Sequence, residues 1–353
     1  MIQIKRTEHP KAKPDFARLG FGKYFTDHMF VMRCQDGKRW QDPEVVPEGP
    51  LSLDPATMVF HYAQCIFEGL KAYKDEKGQI SLFRPRDNFA RLNRSCERMC
   101  IPKFDEELAM EGLMTLLKTD ADWIPTAPGT ALYIRPTVIA TDPFLGVKAS
   151  RSYLFYIILS PVGAYYEHGL EPVRIYVEDT YVRAAVGGTG DIKCGANYAV
   201  SLKAGEIAKE QGFDQVLWLD AKTRKNVEEV GSMNIFFVFG DEVVTPNLTG
   251  SILPGITRDS VIKLCREEGR KVSERPVSVD ELTAAAEEGR LTECFGSGTA
   301  AVISPVGGLH YAGRDLVIGG GRMGPVTQHL YDRLTGIQTR RLPDPLGWVT
   351  EVR

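Results

Sequence analysis

The sequence predicts two domains of α/β or α+β class, and three observations predict them. The chain has 353 residues, 43% hydrophobic and 25% charged, enough material for two separate cores. Stretches with helical spacing of apolar residues alternate loosely with strand-like stretches, and hairpins occur among them. The segment from Ser160 to Pro172 is punctuated by Pro161, Gly163, Gly169 and Pro172, which reads as a boundary. The expected division is 1–162, an interdomain loop at 163–173, and 174–353.

Each element follows from local pattern. Residues 1–50 are polar and Pro-rich. Thr57 to Tyr73 mixes a helix-like apolar run with a strand-like exit, and Gly78 turns the chain into a strand at Gln79 to Arg84. Pro85 to Cys100 predicts a helix with Phe89, Leu92, Cys96 and Met99 as one apolar stripe; Arg86, Arg91, Arg94 and Arg98 occupy its other faces. Ala131 to Ala140 and Ser152 to Leu159 predict strands, the second nearly all apolar and therefore central in a sheet. Beyond the boundary, Asn197 to Gln211 predicts a helix ended by Gly212. Val216 to Leu219 predicts a strand, and Asn234 to Val244 a hairpin turning at Gly240-Asp241. Thr257 to Glu268 predicts a helix stopped by Gly269, and Ser278 with Glu281 forms a capping box for an Ala-rich helix. A last helix starts at Pro325 and is expected to bury Val326, Leu330, Leu334 and Ile337. No repeat of 20 to 50 residues is visible, so the chain is not a solenoid.

Composition excludes several function classes. Forty-three basic against 46 acidic residues, net −3, give no field that would collect nucleic acid or coat a membrane surface. The longest apolar run, near Tyr153 to Leu159, is far short of the ~20 residues that cross a bilayer, and the first residues lack the apolar core of a signal peptide. A soluble, cytoplasmic protein is expected. The seven cysteines form no Cys-x-x-Cys pair and no disulfide framework, and the six histidines are too scattered for a local metal motif. No metal is expected. The P-loop and the Gly-x-Ser-x-Gly elbow are absent. Gly296 to Ala301 fits a loose Gly-x-Gly-x-x-Ala, but Val302-Ile-Ser-Pro305 does not continue as a helix, so the dinucleotide fingerprint lacks its context. An anion-facing turn remains open there.

The densest unusual segment is Gly187-Gly-Thr-Gly-Asp-Ile-Lys193-Cys-Gly-Ala-Asn-Tyr198. Its glycines let the backbone bend closely round a bound group. A lysine forms a Schiff base with a carbonyl once desolvation or a cationic neighbour leaves its amine partly neutral. A Schiff-base lysine suggests pyridoxal phosphate, which also needs a carboxylate at its ring nitrogen and cations or backbone amides at its phosphate. Glu228 or Glu229 offers the first. The Arg91 helix and the turns at Leu253-Pro-Gly255-Ile-Thr257 and Gly296 to Thr299 offer the second, although each has an ordinary alternative as a solvated face, a turn or a helix entry.

These motifs together resemble the branched-chain amino acid aminotransferases of the fold-type IV pyridoxal-phosphate enzymes. The resemblance runs from FGKYFTDHM at Phe21 through HYAQCIFEGLKAY, LFRPRDNFARLNRS, LYIRP, SPVGAYY, GDIKCGANYA, EEVGSMNIF and LPGITR to FGSGTA. It implies a smaller N-terminal α/β domain and a larger C-terminal pseudo-barrel domain, with the active site at the domain interface. It implies amino transfer between leucine, isoleucine or valine and 2-oxoglutarate by a homodimer. By resemblance Lys193 is the Schiff-base lysine and proton carrier, Tyr198 bonds the cofactor's phenolic oxygen, and Glu229 partners its ring nitrogen. Arg91, Ile256, Thr257 and Thr299 hold the phosphate, with Ser232 a further cofactor contact. Tyr133, Thr299 and Ala300 match the α-carboxylate binders, and Phe21, Phe67 and Tyr165 the apolar wall. Arg135 matches the partner of the glutamate side-chain carboxylate. Tyr62, Leu145 and Val147 match positions at or across the dimer interface. Some animal members carry a Cys-x-x-Cys pair just after the Gly-Thr-Ala segment; this chain has none, so thiol regulation of that kind is not expected. The net charge of Arg84 to Arg98, five arginines against Asp87 and Glu97, is expected to face one phosphate.

Overall fold

The computed structural model describes residues 2–163 and 170–352. The chain divides into two units. The first comprises Met1–Glu167, Lys193–Gly195 and Gly336–Arg353; the second comprises His168–Ile192 and Ala196–Thr335. The division is therefore not linear: the C-terminal residues belong to the first unit, and so do three residues around the candidate lysine. The first unit is consequently no smaller than the second.

The first unit is built on a nine-stranded sheet. At its centre Ala131–Ala140 and Tyr153–Val162 run antiparallel, paired from Ala131↔Val162 to Ala140↔Tyr153. His28–Cys34 and Trp40–Pro47 extend it on one side, Leu70–Lys74 and Ile80–Phe83 on the other. Val349–Glu351 closes that second edge against Ile80–Phe83. Pro85–Arg98 and Glu106–Thr119 are its two long helices. Asp105 caps the second by accepting the amides of Glu107 and Leu108. Phe89, Phe104, Phe155 and Phe30 form a chain of ring contacts, with Phe104 stacked on Phe155 at 5.1 Å.

The second unit holds another nine-stranded sheet, mixed in direction. Val173–Glu178 lies between Gln215–Leu219 and Val302–Tyr311 and is parallel to both. Leu291–Gly298 continues antiparallel from Val302–Tyr311, so Gly296 to Ala301 is a strand end and hairpin turn, with strand rather than helix after it. The expected hairpin appears as Asn234–Phe239 and Glu242–Thr245. Ser278 Oγ accepts the Glu281 amide at 3.0 Å, one half of the expected capping box, while the Glu281 carboxylate pairs with Arg275.

Two expectations need correction. The helix expected over 197–211 is broken into Ala196–Ala199 and Leu202–Glu210. Ser201 Oγ donates to the Tyr198 carbonyl at 2.7 Å, a side-chain bond that competes with the helical ladder. In the last helix, Pro325–Gln338, Leu330, Leu334 and Ile337 are buried but Val326 is only half-buried. Thr327 is buried in its place, because its amide and hydroxyl both donate to the buried Glu293 carboxylate, each at 2.7 Å.

Candidate active site

The first unit holds Lys193 by its backbone. The short strand Cys65–Phe67 pairs with Ala131–Ala140, from Cys65↔Ile139 to Phe67↔Thr137, and also forms a bridge through Ile66↔Cys194. The Phe67 amide donates to the Lys193 carbonyl at 3.0 Å and the Gly195 amide to the Cys65 carbonyl at 3.3 Å. The Lys193 amide donates to Ser95 Oγ, on the Pro85–Arg98 helix, at 3.1 Å. At Gly195 a Cβ would stand 2.7 Å from Cys65 Sγ, so a larger residue there would have to displace that side chain.

The amine of Lys193 lies 5.0 Å from the centroid of the Phe67 ring. The Arg135 guanidinium lies 4.8 Å from the same ring and 5.2 Å from that of Tyr133. Tyr133 and Arg135 are two residues apart on one strand and so share a face; Arg135 Nη2 donates to the Tyr133 hydroxyl at 3.1 Å. Phe21 meets Tyr133 edge to face at 5.0 Å. The Arg135 Nε is buried without a hydrogen-bond partner. One cluster thus combines an amine, aromatic walls and a cation with an unused donor. It brings together Phe21, Phe67, Tyr133, Arg135 and Lys193 of the residues expected from the sequence.

Arg91 is not on a solvated face: it is 4% exposed and sits against Glu68, which is 0% exposed. Arg91 Nε donates to Glu68 Oε1 at 2.7 Å and Nη2 to Oε2 at 2.9 Å. Asn88 Nδ2 and the Gly69 amide also donate to Oε2, at 2.8 and 3.1 Å. Burial by itself would raise the Glu68 carboxyl. The charge and hydrogen bonds of Arg91, the charge of Lys193 and the bond from Asn88 outweigh it and hold the group below the ordinary carboxylate range. The five arginines therefore do not converge on one anion. Arg84 pairs with Asp87 at 2.7 Å and Arg86 pairs with Glu107, while Arg94 and Arg98 are exposed. A helix turns about 100° per residue, so this spacing spreads charge round the axis.

The second unit carries the other expected residues. In Val227–Val230 adjacent side chains point to opposite faces. Glu228 accepts the Ser251 hydroxyl, whereas Glu229 Oε1 accepts the Leu253 amide at 2.7 Å. Glu229 Oε2 lies 3.3 Å from Arg183 Nε. Burial pushes the Glu228 carboxyl up, against the lowering effects of the Ser251 bond and the Arg183 charge. Arg183, Asn197, Tyr198, Glu229, Ser232 and Leu253 line one cleft. Arg183 Nη2 donates to the Gly190 and Ser251 carbonyls, which ties the glycine-rich segment down. Ile256 and Thr257 open the Ile256–Glu267 helix, whose first turn has no side-chain cap, an arrangement suited to an anion. Thr299 and Ala300 lie in the turn between Leu291–Gly298 and Val302–Tyr311.

Tyr62, Leu145 and Val147 form a separate exposed group. The Tyr62 hydroxyl donates to the Leu145 carbonyl, and Leu145 and Val147 are 63% and 84% exposed. Tyr165 lies outside the described residues. Three residues of these clusters escaped the reading of the sequence: Glu68, Ser95 and Arg183. Glu68 stands inside the FEGLKAY motif, where a lone acid among apolar residues was the available signal. Nothing local distinguishes Ser95 or Arg183.

The family model for amino-transferase class IV matches residues 65–308. The chain is 55% identical over 353 residues to branched-chain-amino-acid transaminase 1 of Bacillus subtilis (strain 168), covering 100% of this chain and 99% of that one. The branched-chain amino acid aminotransferase of Escherichia coli superposes with a TM-score of 0.77 at 28% identity, covering 93% of this chain and 99% of that one. The T.th. branched-chain amino acid aminotransferase with pyridoxamine 5′-phosphate superposes with a TM-score of 0.76 at 25% identity, covering 92% and 98%.

Proposed function

The chain belongs to the class IV amino-transferases and, among them, to the branched-chain-amino-acid transaminases; from that premise we propose a cofactor and a role for each site residue. The reaction is the reversible transfer of the amino group of L-leucine, L-isoleucine or L-valine to 2-oxoglutarate, and the cofactor is pyridoxal 5′-phosphate, held covalently through Lys193. Among the described residues no helix is long and apolar enough to cross a membrane. A cytoplasmic homodimer accords with this, Tyr62, Leu145 and Val147 being the surface offered to the second copy.

The donors present suit that cofactor. Its ring nitrogen calls for a buried carboxylate kept in place, and Glu229 is buried with the Leu253 amide on one oxygen and Arg183 beside the other. Its phenolic oxygen calls for a donor in the same cleft, which Tyr198 lines. Its phosphate calls for a cation and backbone amides, roles that the resemblance assigns to Arg91 of the first unit and to Ile256, Thr257 and Thr299 of the second. When bound, pyridoxal phosphate supplies an electron-withdrawing ring that stabilises negative charge at the substrate Cα. The protein's own work is then positional and protonic. Glu229 would keep a proton on the ring nitrogen. The Lys193 amine would serve as the proton carrier, its backbone bonded to Ser95 and Phe67.

The observation that carries the substrate assignment is the Phe67 ring, with the Lys193 amine 5.0 Å away and the Arg135 guanidinium 4.8 Å away. An aliphatic side chain finds an aromatic wall there. A glutamate side chain finds a cation with an unused Nε–H, which a buried carboxylate requires. A wall of this kind discriminates by only ~1–3 kcal/mol per methylene, so the three branched substrates should share it. Borohydride reduction of the protein loaded with pyridoxal phosphate, followed by peptide mapping, should give one pyridoxyl adduct, on Lys193. Incubation with L-leucine and 2-oxoglutarate should yield glutamate, and Lys193→Ala should yield none while remaining folded. An adduct elsewhere, or no glutamate from the parent protein, refutes the assignment.

A further inference from the structure

We propose that a cleft in the first unit, beside the turn between Leu70–Lys74 and Ile80–Phe83, is a second binding site, which takes a small organic dianion: carboxylate or phosphate charge on a carbon skeleton. None of the residues that line it is assigned to cofactor or substrate, so the inference does not rest on that reading.

The cleft has a volume of about 490 Å³, inside the range of roughly 300–1,000 Å³ usual for small-molecule sites. Three pieces of chain form it: the turn after Leu70–Lys74, the loop 125–130 that leads into Ala131–Ala140, and residues 339–341, just after the Pro325–Gln338 helix. All three belong to the first unit. The framework is set before any ligand arrives. The buried Tyr73 donates its hydroxyl to Oε1 of the buried Gln338 at 3.1 Å, which ties strand to helix. Asp75 Oδ1 accepts the Lys77 and Gln79 amides, each at 2.9 Å, which holds the turn.

Charge selects the ligand. Lys74, Lys77, Arg340 and Arg341 line the cleft against two acids, Asp75 and Glu76. That local excess of two positive charges stands on a chain whose net charge is −3, and it draws an anion. Arg340 is neutralised, with Nη1 3.6 Å from Asp75 Oδ2 and Nη2 2.9 Å from Glu351 Oε1. Lys74 Nζ donates to the Ala121 carbonyl at 3.2 Å and Arg341 Nε to Thr339 Oγ1 at 3.0 Å. Among the described residues neither of these, nor Lys77, has an acidic partner. Cations just past a helix often serve its last carbonyls. Here backbone fills that role: the Arg340 amide donates to the Ile337 carbonyl at 3.0 Å, and the Arg341 and Leu342 amides to that of Gly336 at 2.8 and 3.0 Å. The loop 125–130 adds Pro125, Ala127 and Pro128, an uncharged apolar wall on which a carbon skeleton can rest while its charges meet Lys77 and Arg341.

Exposed ion pairs are individually weak, so a dissociation constant on the order of 1 mM is expected. Phthalate and phenyl phosphate are the probes, each titrated calorimetrically into the cofactor-loaded protein at about 20 mM ionic strength, where screening is slight. At least one should saturate a single site per chain, phthalate marking carboxylate and phenyl phosphate marking phosphate as the preferred charge. Benzoate, an aromatic acid with one charge, should bind about tenfold more weakly than the probe that saturates. Lys77→Ala combined with Arg341→Ala should weaken binding tenfold or more and leave leucine turnover unchanged. Arg135→Met, which alters the candidate substrate site, should leave binding as it is. Four results overturn the proposal: no saturable heat with either probe, benzoate as tight as the probe, undiminished binding in the double variant, or loss in Arg135→Met. Should the double variant lose its cooperative melt, Lys77→Glu, at an exposed position of the turn, carries the test, and undiminished binding there overturns the proposal equally.

Discussion

Replacing Arg135 by Met should separate the two kinds of amino donor. The substitution removes the guanidinium and keeps much of the aliphatic stem. Arg135 touches the Phe67 and Tyr133 rings and donates to the Tyr133 hydroxyl, and these contacts serve any substrate that rests on the aromatic wall. Their loss, roughly 0.5–1 kcal/mol for each ring contact, is common to leucine and glutamate and cancels in a ratio. What does not cancel is the pairing of the glutamate side-chain carboxylate. Truncating one partner of a desolvated charge pair costs about 2–5 kcal/mol; because Arg135 is only half-buried, roughly 2–3 kcal/mol is the appropriate part of that range. At 1.4 kcal/mol per tenfold, the ratio of kcat/KM for glutamate to that for leucine should fall about 30- to 150-fold. Single-turnover half-reactions with each amino acid, followed by the absorbance of the bound cofactor, measure that ratio directly. Equal losses for both substrates, with the ratio unchanged within about threefold, would refute the assignment of Arg135 to the glutamate carboxylate.

Three further outcomes are expected. Glu229→Gln should retain the cofactor but slow leucine turnover roughly 100-fold or more, because the neutral amide no longer holds a proton on the ring nitrogen; near-normal kcat contradicts the role. Gly190→Ala should lower the melting temperature by several degrees: its Cβ would stand 2.2 Å from the Ser251 carbonyl oxygen and 2.6 Å from Ala184 Cβ, an overpacking worth about 1–3 kcal/mol. An unchanged melt would mean that the glycine-rich segment is not packed as described. Glu68 has a depressed carboxyl, so the unfolded chain binds more protons than the fold as pH falls. Its stabilising effect is complete above the ordinary glutamate value near 4.3 and is lost as pH drops through the lower value of the folded state. Denaturant titrations between pH 7 and 3 should show the parent losing more stability than Glu68→Gln; parallel curves would contradict this.

Much of the fold was legible where pattern is local. Ala131–Ala140 occupies the very range its apolar run predicts, and the hairpin at Gly240-Asp241 and the Ser278 cap follow from turn and cap chemistry. Legibility fails where the determining partner is distant in sequence. The polar opening segment contains strands, Trp40–Pro47 among them, that owe their form to pairing with His28–Cys34. The Glu106–Thr119 helix, with Asp105 as its cap, had a local signature that the reading passed over. At the site, Lys193, Tyr198 and Glu229 stood out through motif context. For Arg91 the reading left a solvated face open beside the phosphate role, because its burial depends on Glu68, 23 residues earlier in the chain. Helical spacing reports which residues share a face; it does not report that an acid on another element has drawn one polar residue inward.

The strand Cys65–Phe67 gives the lysine an unusual seat. It joins a central strand of the sheet through one set of pairings and the 193–195 segment through another, and Ser95 secures the same segment from a helix. Reactive side chains are commonly carried on loops, whose backbone must surrender conformational entropy, about 1–2 kcal/mol for each residue ordered, when a reactant arrives. Lys193 has already made that sacrifice during folding. Its freedom is confined to the side chain, so in the role proposed for Lys193 substrates of different size would meet an amine whose backbone is already ordered.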